Sequence, residues 1–226
     1  MSTNTKKKKQ TNVISGTKET AEKAEKAASS PIFSRLAYIY IAVPFLIFVF
    51  GWFKLPLALM SAAVIIAGLY FAMIHAPSLD TSLISKQNIP KIICAVIIAI
   101  VWVYMSGIGG YAFQNYDHMW RNAILEKLVE SDWPVYINET APFFESPVAM
   151  IYYFAFWLPA AWYGKHFGID SAYGFLFIWA VIGILLIFYM ISAFHKKISL
   201  PVMIAFIFFS GLDAVGAFIY TNSDTY

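Results

Sequence analysis

The chain has 226 residues, of which 60% are hydrophobic and 13% charged, with a formal net charge of +3. A soluble domain carries about 25% charged residues, and one small core cannot hide this much apolar surface. That composition excludes an ordinary soluble domain. It points to an integral membrane protein with lipid as its surroundings and no nucleic-acid partner.

Residues 1–34 form a polar tail with a basic cluster at Lys6–Lys9 and the low-complexity stretch KETAEKAEKAA. A solvated cytosolic tail is expected, with electrostatic contact to anionic lipid as the sharper alternative. So long a polar lead before any apolar run is not the pattern of a cleavable signal.

Residues 35–226 read as the transmembrane domain. Six apolar runs lie near 36–52, 56–74, 91–108, 147–163, 171–194 and 200–220. A span needs about 20 residues, so the fourth is short. Pro56, Pro90, Pro147 and Pro201 fall near first-turn positions, where a missing N–H costs little. Ser146, Asp170 and Ser199 can cap the helices that follow. Pro44 and Pro159 fall inside runs and predict kinks. Trp52, Trp102 and Trp162 suit interfacial belts. The lone cysteine, Cys94, sits in an apolar run and allows no intrachain disulfide. The expected fold is all-α: a polytopic bundle of about six spans with one amphipathic interfacial helix in its long outer loop.

The basic residues set the expected orientation, in the cell membrane with the N-terminus cytoplasmic. Six crossings then put Lys86, Lys91 and Lys165 inside with the tail. They put Lys54, Arg121, Lys127, Lys196 and Lys197 outside, and the last two strain the scheme.

The same scheme places the 109–146 loop outside. It holds Asp117, Glu126, Glu130, Asp132, Glu139 and Glu145 against only Arg121 and Lys127. Such a long connection is usually functional or disordered. From His118 to Glu130, Trp120, Ile124, Leu125, Leu128 and Val129 form an apolar stripe of helical period, which predicts a helix lying on the membrane. Asp117 stands at the expected N-cap. Asp117–Arg121 and His118–Asn122 are spaced four apart and can meet. The plain reading of this helix is structural, a capped surface element. The functional reading makes Asp117 a base and gives Arg121 or His118 a phosphate charge to neutralise. No G-x-S-x-G, P-loop or H-E-x-x-H pattern occurs, so no motif indicates a cofactor. Asn138-Glu-Thr is a glycosylation sequon by pattern alone. Asp213, in FFSGLDAVGAF, is an ionisable group inside the last run, read either as functional or as a backbone-bonded break at Gly211 and Gly216.

GGYAFQNYDHMWRNAILEKLVESDWPV, then YYFAFWLPAAWYGK, then FFSGLDAVG, resembles a group of bacterial multispanning proteins similar to the C-type glycosyltransferase superfamily. The resemblance covers roughly residues 100–220. It implies a polyprenyl-phosphate-linked sugar as donor and a loop acid as base or metal-linked acid, with a divalent metal left open. Asp117 matches that loop acid, with Arg121 and Asp132 as lesser candidates. His118 stands where a second acid is usual, and more spans precede the loop than the superfamily has. Six spans, where eight or more are typical, suggest an N-terminal part. The alternative is a non-enzymatic membrane protein, either a transporter-like fragment or an assembly partner docking through helix 118–130.

Overall fold

The computed structural model describes residues 29–112, 114–137 and 148–210. Seven α-helices follow in chain order: α1 Ile32–Trp52, α2 Leu55–Ile74, α3 Ile89–Met105, α4 Tyr116–Glu130, α5 Leu158–Phe167, α6 Ile169–Phe194 and α7 Leu200–Ser210. Two short antiparallel pairs accompany them. Ser29–Ser30 (β1) pairs with Leu79–Asp80 (β2), and Tyr136–Ile137 (β3) pairs with Val148–Ala149 (β4).

Among the described residues four helices are long and apolar enough to cross a membrane: α1, α2, α6 and the segment Lys86–Met105, which contains α3. The strongest sign of a lipid environment is α2. It is apolar all round, yet only Ala58 and Ala62 are buried, while Met60, Val64, Tyr70 and Phe71 lie largely exposed. An all-round apolar helix needs either a protein core or lipid about it. The two alanines, four apart, face α1 and allow close approach.

Proline and glycine placement explains the helix ends. Pro56 and Pro90 occupy the first turns of α2 and α3, where their missing N–H groups are not needed. Pro44 lies inside α1. Pro159 does not kink a span. It sits in the first turn of α5, so it opens that helix. Asp170 is not a cap either, because Gly168 (φ 88°) holds the N-cap position of α6 and Asp170 falls in the first turn.

Small groups set how the crossing helices meet. Ala95, Ala99 and Val103 recur every fourth residue on the buried face of α3, and Phe188 of α6 and Met203 of α7 pack there. Tyr40 of α1 stacks on Trp179 of α6 (centroids 4.0 Å apart) and its hydroxyl donates to the Trp179 carbonyl at 3.0 Å. Gly183 makes this possible, since a Cβ there would sit 2.5 Å from the Tyr40 Oη.

The described part of the fourth apolar run does not form one long apolar helix. It runs as the short strand Val148–Ala149, a turn and a 3-10 turn at Phe154–Trp157 before α5, which is 10 residues long. At ~1.5 Å per residue, α5 covers about 15 Å, roughly half a hydrocarbon core. Gly168 then turns the chain back into α6. The Lys165 Nζ donates to the Ser131 carbonyl, and its ammonium lies 5.2 Å from the Trp133 ring centroid. Lys165 therefore shares an end of the bundle with the 109–137 segment, the reverse of the six-span expectation.

Removing one crossing reverses everything after it. α6 starts beside α4 and finishes beside β2, where Tyr189 Oη donates to the Asp80 carbonyl at 3.1 Å. Lys196 and Lys197 thus line a recess with Lys86 and Lys91. The bundle has a tail-side end, carrying β1, β2 and these lysines, and a loop-side end, carrying α4, α5 and the β3–β4 pair. Residues 211–226 lie outside the described part, and with them Asp213 and the remainder of the sixth run.

Close approach at Gly51 gives a direct test of the loop-side packing. A Cβ on Gly51 would stand 2.6 Å from Trp133 Cε3, whereas one on Gly68 would meet nothing within 4 Å. Gly51→Val is expected to destabilise the protein by about 1–3 kcal/mol, seen as a lower melting temperature in detergent. Gly68→Ala should leave the melting temperature unchanged or slightly raised.

Candidate functional site at the loop-side end

The site is built on α4, which the apolar spacing of the sequence predicts almost to the residue. Its N-cap is Asn115, not Asp117, and Asp117 lies in the first turn. A carboxylate there still gains from the positive end of the helix dipole. Asp117 Oδ2 and Arg121 Nη2 are 4.0 Å apart, an exposed i, i+4 pair. Such pairs contribute only about 0.3–0.5 kcal/mol, so this one is held loosely and both groups can face a ligand.

His118 does not pair with Asn122. Its Nδ1 lies 2.7 Å from Asn115 Oδ1, and Asn122 Nδ2 donates to Gln114 Oε1 at 2.9 Å. Gln114 Nε2 in turn donates to the Gly107 carbonyl at 2.8 Å. With the Asn115 oxygen accepting, Nδ1 carries the hydrogen, which leaves Nε2 as the second ring nitrogen. That Nε2 is buried and has no hydrogen-bond partner among the described residues. These polar links tie the start of α4 to the glycine turn after α3, where Gly107, Gly109 and Gly110 all have positive φ. Gly109 is also crowded, since a Cβ there would lie 3.1 Å from the Phe177 Cβ.

The apolar stripe turns inward rather than toward lipid. Leu125 and Leu128 are fully buried in one cluster with Trp157, Leu158, Ala161, Ala172 and Leu176, and Ile124 and Val129 pack against it. Trp120 leaves the stripe. It is 61% exposed and meets Tyr116 edge to face, their centroids 6.2 Å apart. Further along, Glu126 Oε1 accepts from Tyr173 Oη at 2.9 Å, and Trp133 Nε1 donates to the Leu128 carbonyl at 2.8 Å. Asp132 sits in the turn after α4, away from the Asp117–Arg121 pair along the helix.

Two residues absent from the sequence reading join the site, Tyr152 and Tyr153. Their rings stack with centroids 4.0 Å apart, and Tyr152 Oη donates to Tyr153 Oη at 2.7 Å. That hydrogen bond is the main cause that holds the Tyr152 phenol above its ordinary range. Asp117 pushes it the same way, while Arg121 opposes. Tyr152 is therefore within electrostatic reach of Asp117 and Arg121. The Tyr-Tyr dipeptide at the head of an aromatic, rather than aliphatic, run was the signal for them.

An apolar groove of about 540 Å³ runs between α1, α3 and α6. Tyr38, Ile41, Trp102 and Ile187 line it, and Ser106, Ile108 and Phe156 lie where it meets the loop-side end. Among the described residues, no group of three His, Cys, Asp or Glu side chains could hold a metal ion. Compared with known proteins, the chain matches no family model, no curated protein and no solved structure.

Proposed function

We propose that this chain is a glycosyltransferase-like membrane protein, or the N-terminal part of one, acting on a lipid-phosphate-linked sugar at its loop-side end. The observation that supports the reading is the grouping of the Asp117–Arg121 pair with Tyr152 at the loop-side end of a bundle that also holds an apolar groove between α1, α3 and α6. An apolar groove in the bundle, with an acid, a cation and hydroxyls at the same protein's loop-side end, suits an amphiphile with an anionic, hydroxylated head. A polyprenyl chain fills the groove and its phosphate faces Arg121. The Asp117 carboxylate takes the proton of the acceptor hydroxyl as that oxygen bonds to the anomeric carbon. The bond from that carbon to the lipid phosphate oxygen breaks, and the phosphate leaves with the electron pair, its charge offset by Arg121. Tyr152 and Tyr153 hydrogen-bond the sugar.

The charge distribution supports an outward-facing site. At the tail-side end the described residues carry Arg35, Lys86, Lys91, Lys196 and Lys197 against Asp80 alone. The loop-side end carries Lys54, Arg121, Lys127 and Lys165 against Asp117, Glu126, Glu130, Asp132 and Asp170. Basic excess marks the cytoplasmic side, so the N-terminus is inside, and Lys196 and Lys197 no longer conflict with that assignment. The test is to incubate the purified protein, in lipid, with a radiolabelled polyprenyl-phosphate sugar and a hydroxyl acceptor. The reading requires labelled product and free polyprenyl phosphate, and an intact donor after long incubation contradicts it.

The exposed face of α4 favours a second reading, an assembly partner. Tyr116, Met119 and Trp120 form a largely exposed apolar row at the loop-side end. The docking residues are then these three, and Ile124, which packs inward, is not among them. Transport has no comparable support, since Asp213 lies outside the described residues.

A further inference from the structure

The tail-side end holds a second site, independent of the loop-side one. A recess of about 620 Å³ is lined by Lys86 and Lys91 from one segment and by Lys196 and Lys197 from another. Ser82, Ser85 and Asn88 add polar groups, and among the described residues no acidic side chain lines it. The nearest acid in sequence, Asp80, has its Oδ1 engaged by the Ser82 amide at 2.9 Å.

Local structure gathers positive charge at this recess. Lys86 and Lys91 flank the N-terminus of the 17-residue helix α3, where the helix dipole is itself positive. On the other side, α6 closes with the Lys196 amide donating to the Ala193 carbonyl and the Lys197 amide to the Ser192 carbonyl. That pairing of bonds belongs to a helix end that favours glycine in the left-handed position, yet Lys196 occupies it at φ 52°. That helix end puts Lys196 and Lys197 together in the lining of the recess.

The recess does not stand alone. Leu83 and Ile198 line it and also line an adjoining apolar crevice of about 220 Å³ between α3, α6 and α7, with Ile92, Phe188 and Met203. A polar, lysine-rich pocket opening into an apolar crevice at a membrane boundary matches an amphiphile with a phosphate head. We propose that this is a site for an anionic phospholipid, with its phosphate among the four lysines and an acyl chain in the crevice.

The test uses the full chain, purified in neutral detergent, with native mass spectrometry to count bound molecules. The probes are dioleoyl phosphatidylglycerol, dioleoyl phosphatidylcholine and inorganic phosphate. Phosphatidylglycerol should be retained in preference to phosphatidylcholine. Replacing all four lysines by glutamine should weaken phosphatidylglycerol binding at least about tenfold and leave phosphatidylcholine unchanged. The pair Lys54→Gln and Lys127→Gln, at the other end, should change neither. If the fourfold variant does not fold, Lys86→Gln with Lys197→Gln carries the same expectation at about fivefold. Wild-type retention of phosphatidylglycerol by a folded variant overturns the site. Inorganic phosphate that binds alone as tightly as the lipid, or displaces it at equal concentration, overturns the lipid assignment and leaves a free-anion site.

Discussion

Asp117→Asn is expected to reduce sugar transfer by about 10²–10⁴-fold, the usual contribution of a positioned general base, without loss of folded protein. Asparagine keeps the size and the first-turn position of aspartate but cannot accept the acceptor's proton. The Asp117–Arg121 contact is exposed and loose, so its loss removes only a few tenths of a kcal/mol of stability. That separation makes the variant informative, because a loss of transfer cannot be blamed on unfolding. The measurement is release of polyprenyl phosphate from the labelled donor, beside a melting curve. Asp132→Asn, in the turn after α4, should keep most of the transfer. Full transfer by Asp117→Asn would exclude this residue as the base.

The second large effect concerns α4 as a packed element. Leu125→Ala is expected to cost about 2–5 kcal/mol, because Leu125 is fully buried beside the α5 and α6 residues of the loop-side cluster. Trp120→Ala, at an exposed position, should stay within about 0.5 kcal/mol. Thermal melts of both variants in one detergent give the comparison. A helix resting on the bilayer by its apolar stripe gives the opposite ranking, since Trp120 would then be its main anchor and Leu125 a minor one. If Trp120→Ala melts normally but loses an associated protein, while Asp117→Asn keeps it, the docking reading gains over catalysis.

Much of this architecture is legible in the residues. α1, α2, α3 and α6 follow from long aliphatic runs bounded by Pro56, Pro90 and Gly168, because lipid makes hydropathy the dominant signal. α4 follows from its 3.6-residue period. What pattern could not decide is which apolar surface meets protein and which meets lipid. Leu125 and Trp120 look alike in a stripe, and only the docking of α5 separates them. The N-cap was misplaced for a local reason. In QNYDH both Asn115 and Asp117 are good caps, and the links from Gln114 to Gly107 and Asn122 fix the entry of the chain at Asn115.

The fourth run departs further from its expected form. Between 148 and 163 nearly half of the apolar residues are Tyr, Trp or Phe, which suit an interface as well as a membrane interior. Pro159, read as a kink, instead begins α5. Only the contacts of Lys165 with Ser131 and Trp133 show that this segment returns to the side it came from. One miscounted crossing then inverted Lys196 and Lys197 and hid their convergence with Lys86 and Lys91. The Tyr40 bond to the Trp179 carbonyl, 139 residues apart, had no sequence signal at all.

The account rests on that crossing count, and single-cysteine labelling measures it most directly. In a Cys94→Ala background, cysteines replace Lys54, Lys86, Lys165 and Lys197 in turn, and intact cells are treated with an impermeant maleimide. The account predicts that positions 54 and 165 label in intact cells, while 86 and 197 label only after permeabilisation. Labelling of 165 together with 86, and of 197 together with 54, would restore the fourth span and contradict both the loop-side site and the lysine recess.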